Sequence, residues 1–387
     1  MAVYLLSSAR TAFGSFMGSL SQVPATKLGA AAIKGAVERA GITRDQVNEV
    51  FMGNVIQAGE GQAPARQATI FAGLHEATPA TTVNKVCGSG MQAIIEGARS
   101  IMTGDNQVVV AGGMENMSLA PHLLPNSRNG FKFGATEFKD SMQWDGLWDV
   151  YSNRAMGNCA EEAVKKFNIS RADQDAFAME SFKRSQASIK DGSFKNEIVA
   201  VQVPAKGGTV DVIEDEGPFK ANFEKMPGLK PAFEKDGTIT AANASTINDG
   251  AAAVVIGGDQ FANTAKFKIL SWGSNAHNPT WFTTAPIGAI QKALGKANLS
   301  LDKIDLFEIN EAFAMVPMAV MSELKIPHAK VNVLGGAVSI GHPIGASGTR
   351  IVGTLMNAME KKGAKYGCAA ICIGGGEGLA MIIERIR

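Results

Sequence analysis

The chain is short of cysteine, of net charge and of any long apolar run, and each shortage removes a class of function. Four cysteines (Cys87, Cys159, Cys368 and Cys372) are scattered through 387 residues without a disulfide-rich pattern. A reducing compartment is therefore expected, with the cytoplasm as the default. Basic and acidic residues almost cancel, to a net charge of +1. No basic patch with interleaved aromatics occurs, so a nucleic-acid partner is not expected. No stretch approaches the roughly 20 apolar residues of a membrane span. The first residues, Met-Ala-Val-Tyr-Leu-Leu-Ser-Ser-Ala-Arg, read as a strand and lack the basic start of a signal peptide. No cluster of His, Cys and Asp has zinc spacing. Neither a Walker A sequence nor a Gly-x-Gly-x-x-Gly opening a helix after a strand is present. Neither a metal nor a resident cofactor is expected.

What remains is an ordinary enzyme-like composition, 45% apolar and 19% charged, in a chain long enough for two or three domains. An internal repeat organises it. Ile33, Ala36, Ala40, Ile42, Thr43, Asp45 and Val47 recur as Ile290, Ala293, Ala297, Leu299, Ser300, Asp302 and Ile304, at a constant offset of 257 residues. Each copy reads as a helix, a turn carrying Thr/Ser and Asp, then an apolar strand. Further on, Cys87-Gly-Ser-Gly90 answers Gly345-Ala-Ser-Gly348. Each opens a helix, followed by a strand that ends in glycines, at Gly112-Gly113 and at Gly374-Gly375-Gly376. Two βα-rich halves of one plan are expected, residues 1–117 (completed by a returning strand in 248–265) and 266–387, with mixed or parallel sheets covered by helices. The intervening 118–247 is polar and rich in turns, with a charged helix near Arg171–Lys190 capped by Ser170. It reads as an excursion over the mouth of an active site.

Cys87 sits where a strand turns sharply into a helix. A thiol at a helix N-terminus is expected to have a lowered pKa, and the following glycines allow a substrate carbonyl close to the backbone. The same residue also fits a buried structural cysteine. His342, in Gly-His-Pro-Ile-Gly, is held by a rigid loop and suits a general base towards a thiol, although a loop histidine satisfied by backbone has the same pattern. Cys372 ends an apolar strand in a glycine nest that can hold an oxyanion, and the repeat allows it to face Cys87. Asn310 stands at a strand end, where α/β ligands collect.

These residues resemble the thiolase family along essentially the whole chain. The matching blocks are Ala9-Arg-Thr-Ala-Phe-Gly14, Val83-Asn-Lys-Val-Cys-Gly-Ser-Gly90, Ala111-Gly-Gly-Met-Glu-Asn-Met-Ser118, Asn310-Glu-Ala-Phe313, Gly341-His-Pro-Ile-Gly345 and Cys372-Ile-Gly-Gly-Gly376. The resemblance implies an α/β fold of two βαβαβαββ halves in α-β-α-β-α layers with an inserted loop domain. It implies Cys87 as the acylated nucleophile, His342 as its activator, and a water on Asn310 completing one oxyanion hole. Cys372 would be the acid/base, and the N–H groups of Cys87 and Gly374 would make a second hole.

Within the family the blocks look like the short-chain branch, which condenses two acetyl-CoA to acetoacetyl-CoA and coenzyme A. Met156 and Phe282 would close its acyl pocket on two carbons, and Ser245 matches its pantetheine-contacting serine. Ala155 stands where that branch often has His. No Arg is found near Pro218, Phe219 and Lys220, which leaves Lys220 and Lys225 as nucleotide contacts. Glu377 is a less usual residue after the glycine run. Assembly as a homodimer or homotetramer is implied. The alternatives are a broader 3-ketoacyl-CoA thiolase and a thiolase-fold binding protein without turnover.

Overall fold

A computed structural model describes the whole chain, Met1–Arg387. The first half contains β1 (Val3–Thr11), α1 (Ala25–Ala40), β2 (Glu49–Gly53), α2 (Pro64–Phe71), β3 (Ala80–Val83), α3 (Ser89–Thr103) and β4 (Val108–Asn116). The excursion holds α4 (Met156–Phe167) and α5 (Arg171–Lys190), after which β5 (Asn248–Gly257) returns. The second half runs β6 (Phe267–Ala276), α6 (Ala285–Ala297), β7 (Leu306–Ile309), α7 (Met315–Leu324), α8 (Ile344–Lys362), β8 (Tyr366–Ile373) and β9 (Glu377–Arg385).

The repeat is visible in the strand order. The first half pairs β3-β2-β4-β5-β1 and the second β7-β8-β9-β6, parallel at the β2 and β7 ends and antiparallel elsewhere. The two sheets are not separate. An antiparallel seam, Val3 opposite Ile269 through Leu5 opposite Phe267, joins them edge to edge, so that neither β1 nor β6 is left as an open edge.

Side-chain alternation builds the layers. Along β8, Cys368, Ala370 and Cys372 point into the core beneath α6 and α7, whereas Ala369, Ile371 and Ile373 point into the core around α3 and α8. Along β4, Val109 and Ala111 face α3 and α8 while Val108 and Val110 face α1. Each sheet is thus buried on both faces, which explains the continuous apolar runs of these strands. The order is α1/α2, first sheet, α3/α8, second sheet, α6/α7. Helix α8 lies at the centre and is buried from Ile344 to Met359, its polar residues included.

The excursion is tied to this frame. Ser170 accepts from the Asp173 N–H and caps α5. Arg10 of β1 donates to Glu197 at 2.7 Å and, through both terminal nitrogens, to Asp215 at 2.7 and 2.8 Å. All three are buried. Glu197 also accepts from Thr354 and Asn357 of α8, so one carboxylate links excursion, sheet and central helix. No helix is long and apolar enough to cross a membrane.

Because Arg10→Met would leave two buried carboxylates unpaired, it should destabilise the fold by about 3–5 kcal/mol, read by urea unfolding. A change below about 1 kcal/mol would mean that the excursion is held otherwise.

Candidate active site

Two turns from the two halves meet at one sulfur. Cys87 follows β3 and precedes α3 by two residues. The residue before it, Val86, has φ of 47°, a costly conformation for a β-branched side chain that turns the chain abruptly and projects Cys87. Gly88 packs so closely on Ile373 and Leu379 that a side chain there would overlap them. The second turn, Gly374–Gly376, joins β8 to β9, with Gly375 and Gly376 at φ of 90° and 86°. The N–H groups of Gly374 and of Cys87 itself lie close enough to the Cys87 sulfur to favour its thiolate.

These donors do not lower the thiol pKa as the helix position alone predicts. Burial dominates and, with Glu115 adding repulsion, pushes Cys87 up to about 11. The helix dipole acts within its first turn, and here it is outweighed by desolvation from the two packed halves. Cys372 is fully buried one strand residue before the glycine turn. Burial first, then the neighbouring Cys87, hold its thiol well above the ordinary value. The two thiols therefore sense each other across the turn, and both are protonated at rest.

His342 is buried. Its backbone N–H donates to Asn248 at 3.0 Å, which holds the loop. Its Nδ1 lies 2.5 Å from the Ser347 hydroxyl, and that hydroxyl lies 2.9 Å from the Pro343 carbonyl. A hydroxyl has one proton. If it donates to the carbonyl, it accepts from Nδ1–H, which leaves the Nε2 lone pair facing the site. Desolvation, with a smaller push from Arg350, lowers His342 to about 3. The imidazole is neutral and can accept a proton from a thiol.

Asn310 ends β7, fully buried, with its amide nitrogen 3.5 Å from His342 Nε2. Arg350 of α8 lies 3.4 Å from the Asn310 oxygen and 2.5 Å from Glu308. The guanidinium thereby keeps the amide N–H side turned toward His342. Arg350, Ser347 and Asn248 were not legible as site residues, because each lies in a segment whose periodicity is that of an ordinary core element. Glu115 is likewise new as a structural link. It accepts from the N–H groups of Val55, Ile56 and Gly345, binding the loop after β2 to the first turn of α8.

A cavity of about 640 Å³ opens over this junction, with Cys87, His342 and Gly374 on its floor. Met156 and Phe282 form part of its apolar wall with Phe313, and Phe282 meets Phe313 edge-on at 6.5 Å. Ser245 lines it with its hydroxyl on the Ala312 carbonyl. Cys372 lies behind the floor, in the same apolar cluster as Phe282 and Phe313. Lys220 is the one lysine or arginine on the wall, 2.8 Å from the Ser15 hydroxyl. Lys225 does not join it. That residue is exposed, ahead of the Met226–Gly228 turn and off the cavity wall.

Residues 3–259 match the family described as Thiolase, N-terminal domain, and residues 263–385 that described as Thiolase, C-terminal domain. The chain belongs to the thiolase family. It is similar to an acetyl-CoA acetyltransferase of Cupriavidus necator, 49% identical over 99% of both chains. A protein of the same name from Yarrowia lipolytica is 49% identical, over 100% of this chain and 97% of that one. A mitochondrial acetyl-CoA acetyltransferase A of Xenopus laevis is 49% identical, over 99% of this chain and 92% of its own. Among solved structures, a thiolase from Ascaris suum in complex with coenzyme A superposes with a TM-score of 0.95, at 41% identity over the full length of both chains.

The geometry of this thiolase predicts an unusual pH response. Alkylation of Cys87 by iodoacetamide should keep rising through pH 9 towards a midpoint of about 11, with no step near pH 6.5, because His342 is already neutral there. A step near 6.5 that disappears in His342→Asn would contradict the neutral imidazole.

Proposed function

We propose that the chain is an acetyl-CoA acetyltransferase, which condenses two acetyl-CoA to acetoacetyl-CoA and coenzyme A and runs the reverse thiolysis. The observation that carries this reading is the convergence of Cys87, His342 and Gly374 on one cavity, with the Cys372 thiol buried near enough to Cys87 to feel its charge. Relatives of that name along the full length support it.

The steps follow from the protonation states. His342 Nε2 takes the Cys87 proton as the sulfur attacks the thioester carbonyl of acetyl-CoA. The oxyanion is stabilised by hydrogen-bond donors on the cavity floor. As the tetrahedral intermediate collapses, coenzyme A leaves with the proton of Cys372. The acetyl group is now on Cys87, and Cys372 is a thiolate. Because its resting pKa is high, that thiolate is a strong base, suited to removing an α-proton from the second acetyl-CoA. The resulting carbanion attacks the acetyl carbonyl, Cys87 departs and recovers its proton from His342, and both thiols are restored.

Met156 and Phe282 limit the acyl group to a short chain by overlap with longer ones. Lys220 and Ser245 are assigned to the pantetheine and nucleotide arm. A homodimer or homotetramer is proposed as well. The exposed Phe131, Phe133 and Phe138 of the excursion are an apolar surface suited to burial between copies, and sedimentation as a monomer would count against it. The compartment is left to the relatives, which include bacterial and mitochondrial proteins.

Steady-state thiolysis over 3-ketoacyl-CoA esters of increasing length tests the reading. Activity should be confined to acetoacetyl-CoA and its close analogues, and Phe282→Ala should raise kcat/KM for a six-carbon substrate by about 10-fold or more, since each buried methylene group is worth about 0.8 kcal/mol. Activity that holds or rises with chain length in the unaltered protein would favour the broader thiolase instead.

A further inference from the structure

The two turns whose N–H groups lie by the Cys87 sulfur belong to different halves, and apolar packing joins them. Gly88 rests on Ile373 and Leu379, and Gly374 lies 3.5 Å from Val86, measured from the position its Cβ would occupy. An ion pair joins them as well: Lys85, two residues before Cys87, pairs with Glu377, three residues after Gly374. Lys85 is also fixed to its own turn, its N–H donating to Ser89 at 2.8 Å and its carbonyl accepting from Gly88 at 3.0 Å. Glu377 starts β9 and pairs in register with Ile373 of β8 and Ala276 of β6. Each partner is thus rigidly attached to the backbone that carries one of the two donors.

We propose that Lys85 and Glu377 act as positioning residues, a clamp across the two halves that sets the separation of the Cys87 and Gly374 N–H groups around the reacting sulfur. Neither side chain need touch the substrate. Their side chains are 24% and 36% exposed, so the pair adds little to global stability and is open to screening by salt. Its consequence is geometric. A donor that swings away from an oxyanion loses most of its effect, because hydrogen bonds weaken steeply with misalignment.

The position of the pair beside Cys87 allows a rival account, in which the two charges act on the thiol through space. The two accounts differ in sign. Lys85→Met leaves an unpaired carboxylate near the thiol, and Glu377→Gln leaves an unpaired ammonium. A field effect therefore raises the Cys87 pKa in the first and lowers it in the second, and cancels in the double variant. A clamp raises it in all three, since each loses the donor geometry that offsets burial.

The test is the pH profile of Cys87 alkylation, together with the single-turnover rate of Cys87 acetylation from acetyl-CoA, in the two single variants, the double variant and the reversed pair Lys85→Glu/Glu377→Lys. The alkylation readout does not depend on the acyl-transfer reading, so the clamp and that reading can fail separately. The expected result is an upward shift in both singles and the double, acetylation slowed about 10-fold, and recovery in the reversed pair. Lys85→Arg, which keeps the charge, should behave as the unaltered protein. Opposite shifts in the two singles, or no shift in any variant with circular dichroism unchanged, would overturn the clamp.

Discussion

The active site exists only where two turns, one from each half of a repeated chain, are pressed against the same sulfur. The Cys87 N–H comes from the turn after β3 and the Gly374 N–H from the turn after β8. Everything between them serves that contact. The antiparallel seam of β1 and β6 makes one sheet of two, and α3 and α8 fill the space between its faces. Val86 accepts a backbone conformation that its side chain disfavours, which the surrounding core over-determines.

The second constraint is electrostatic. The site is enclosed, and enclosure penalises every charge that is not matched. Both thiols are held protonated and His342 is held neutral. The buried charge next to His342, Arg350, is paired with Glu308 and turned to the Asn310 amide. The reacting groups themselves, the two thiols and the imidazole, carry no charge at rest. Charge appears only as the reaction proceeds, in an environment whose dipoles are already oriented, which is the condition under which they stabilise it most.

Much of this could be read in the chain before any coordinates. The offset of 257 residues between the copies of helix, turn and strand gave the doubled architecture, because elements that bury the same faces repeat the same spacing. Cys87, His342 and Cys372 stood out because glycine and proline around them punctuate otherwise regular periods, and Asn310 because it stands at the end of the repeated strand. The thiol pKa was read in the wrong direction, since sequence reveals a helix start but not how tightly a second half closes over it. Arg350 and Ser347 stayed hidden inside α8, where a continuous buried pattern masks which polar residues turn inward. Glu377 was legible only as an oddity until Lys85 was found beside it.

The division of labour between two thiols is the central claim, and acetyl transfer from labelled acetyl-CoA tests it most directly. Mass spectrometry would follow the label in Cys372→Ala and in Cys87→Ser. The account predicts that Cys372→Ala still carries acetyl on Cys87, formed more slowly because water must protonate the departing coenzyme A, but forms no acetoacetyl-CoA, and that Cys87→Ser carries none while keeping its fold. Full condensation without Cys372, or label on a residue other than Cys87, would contradict it.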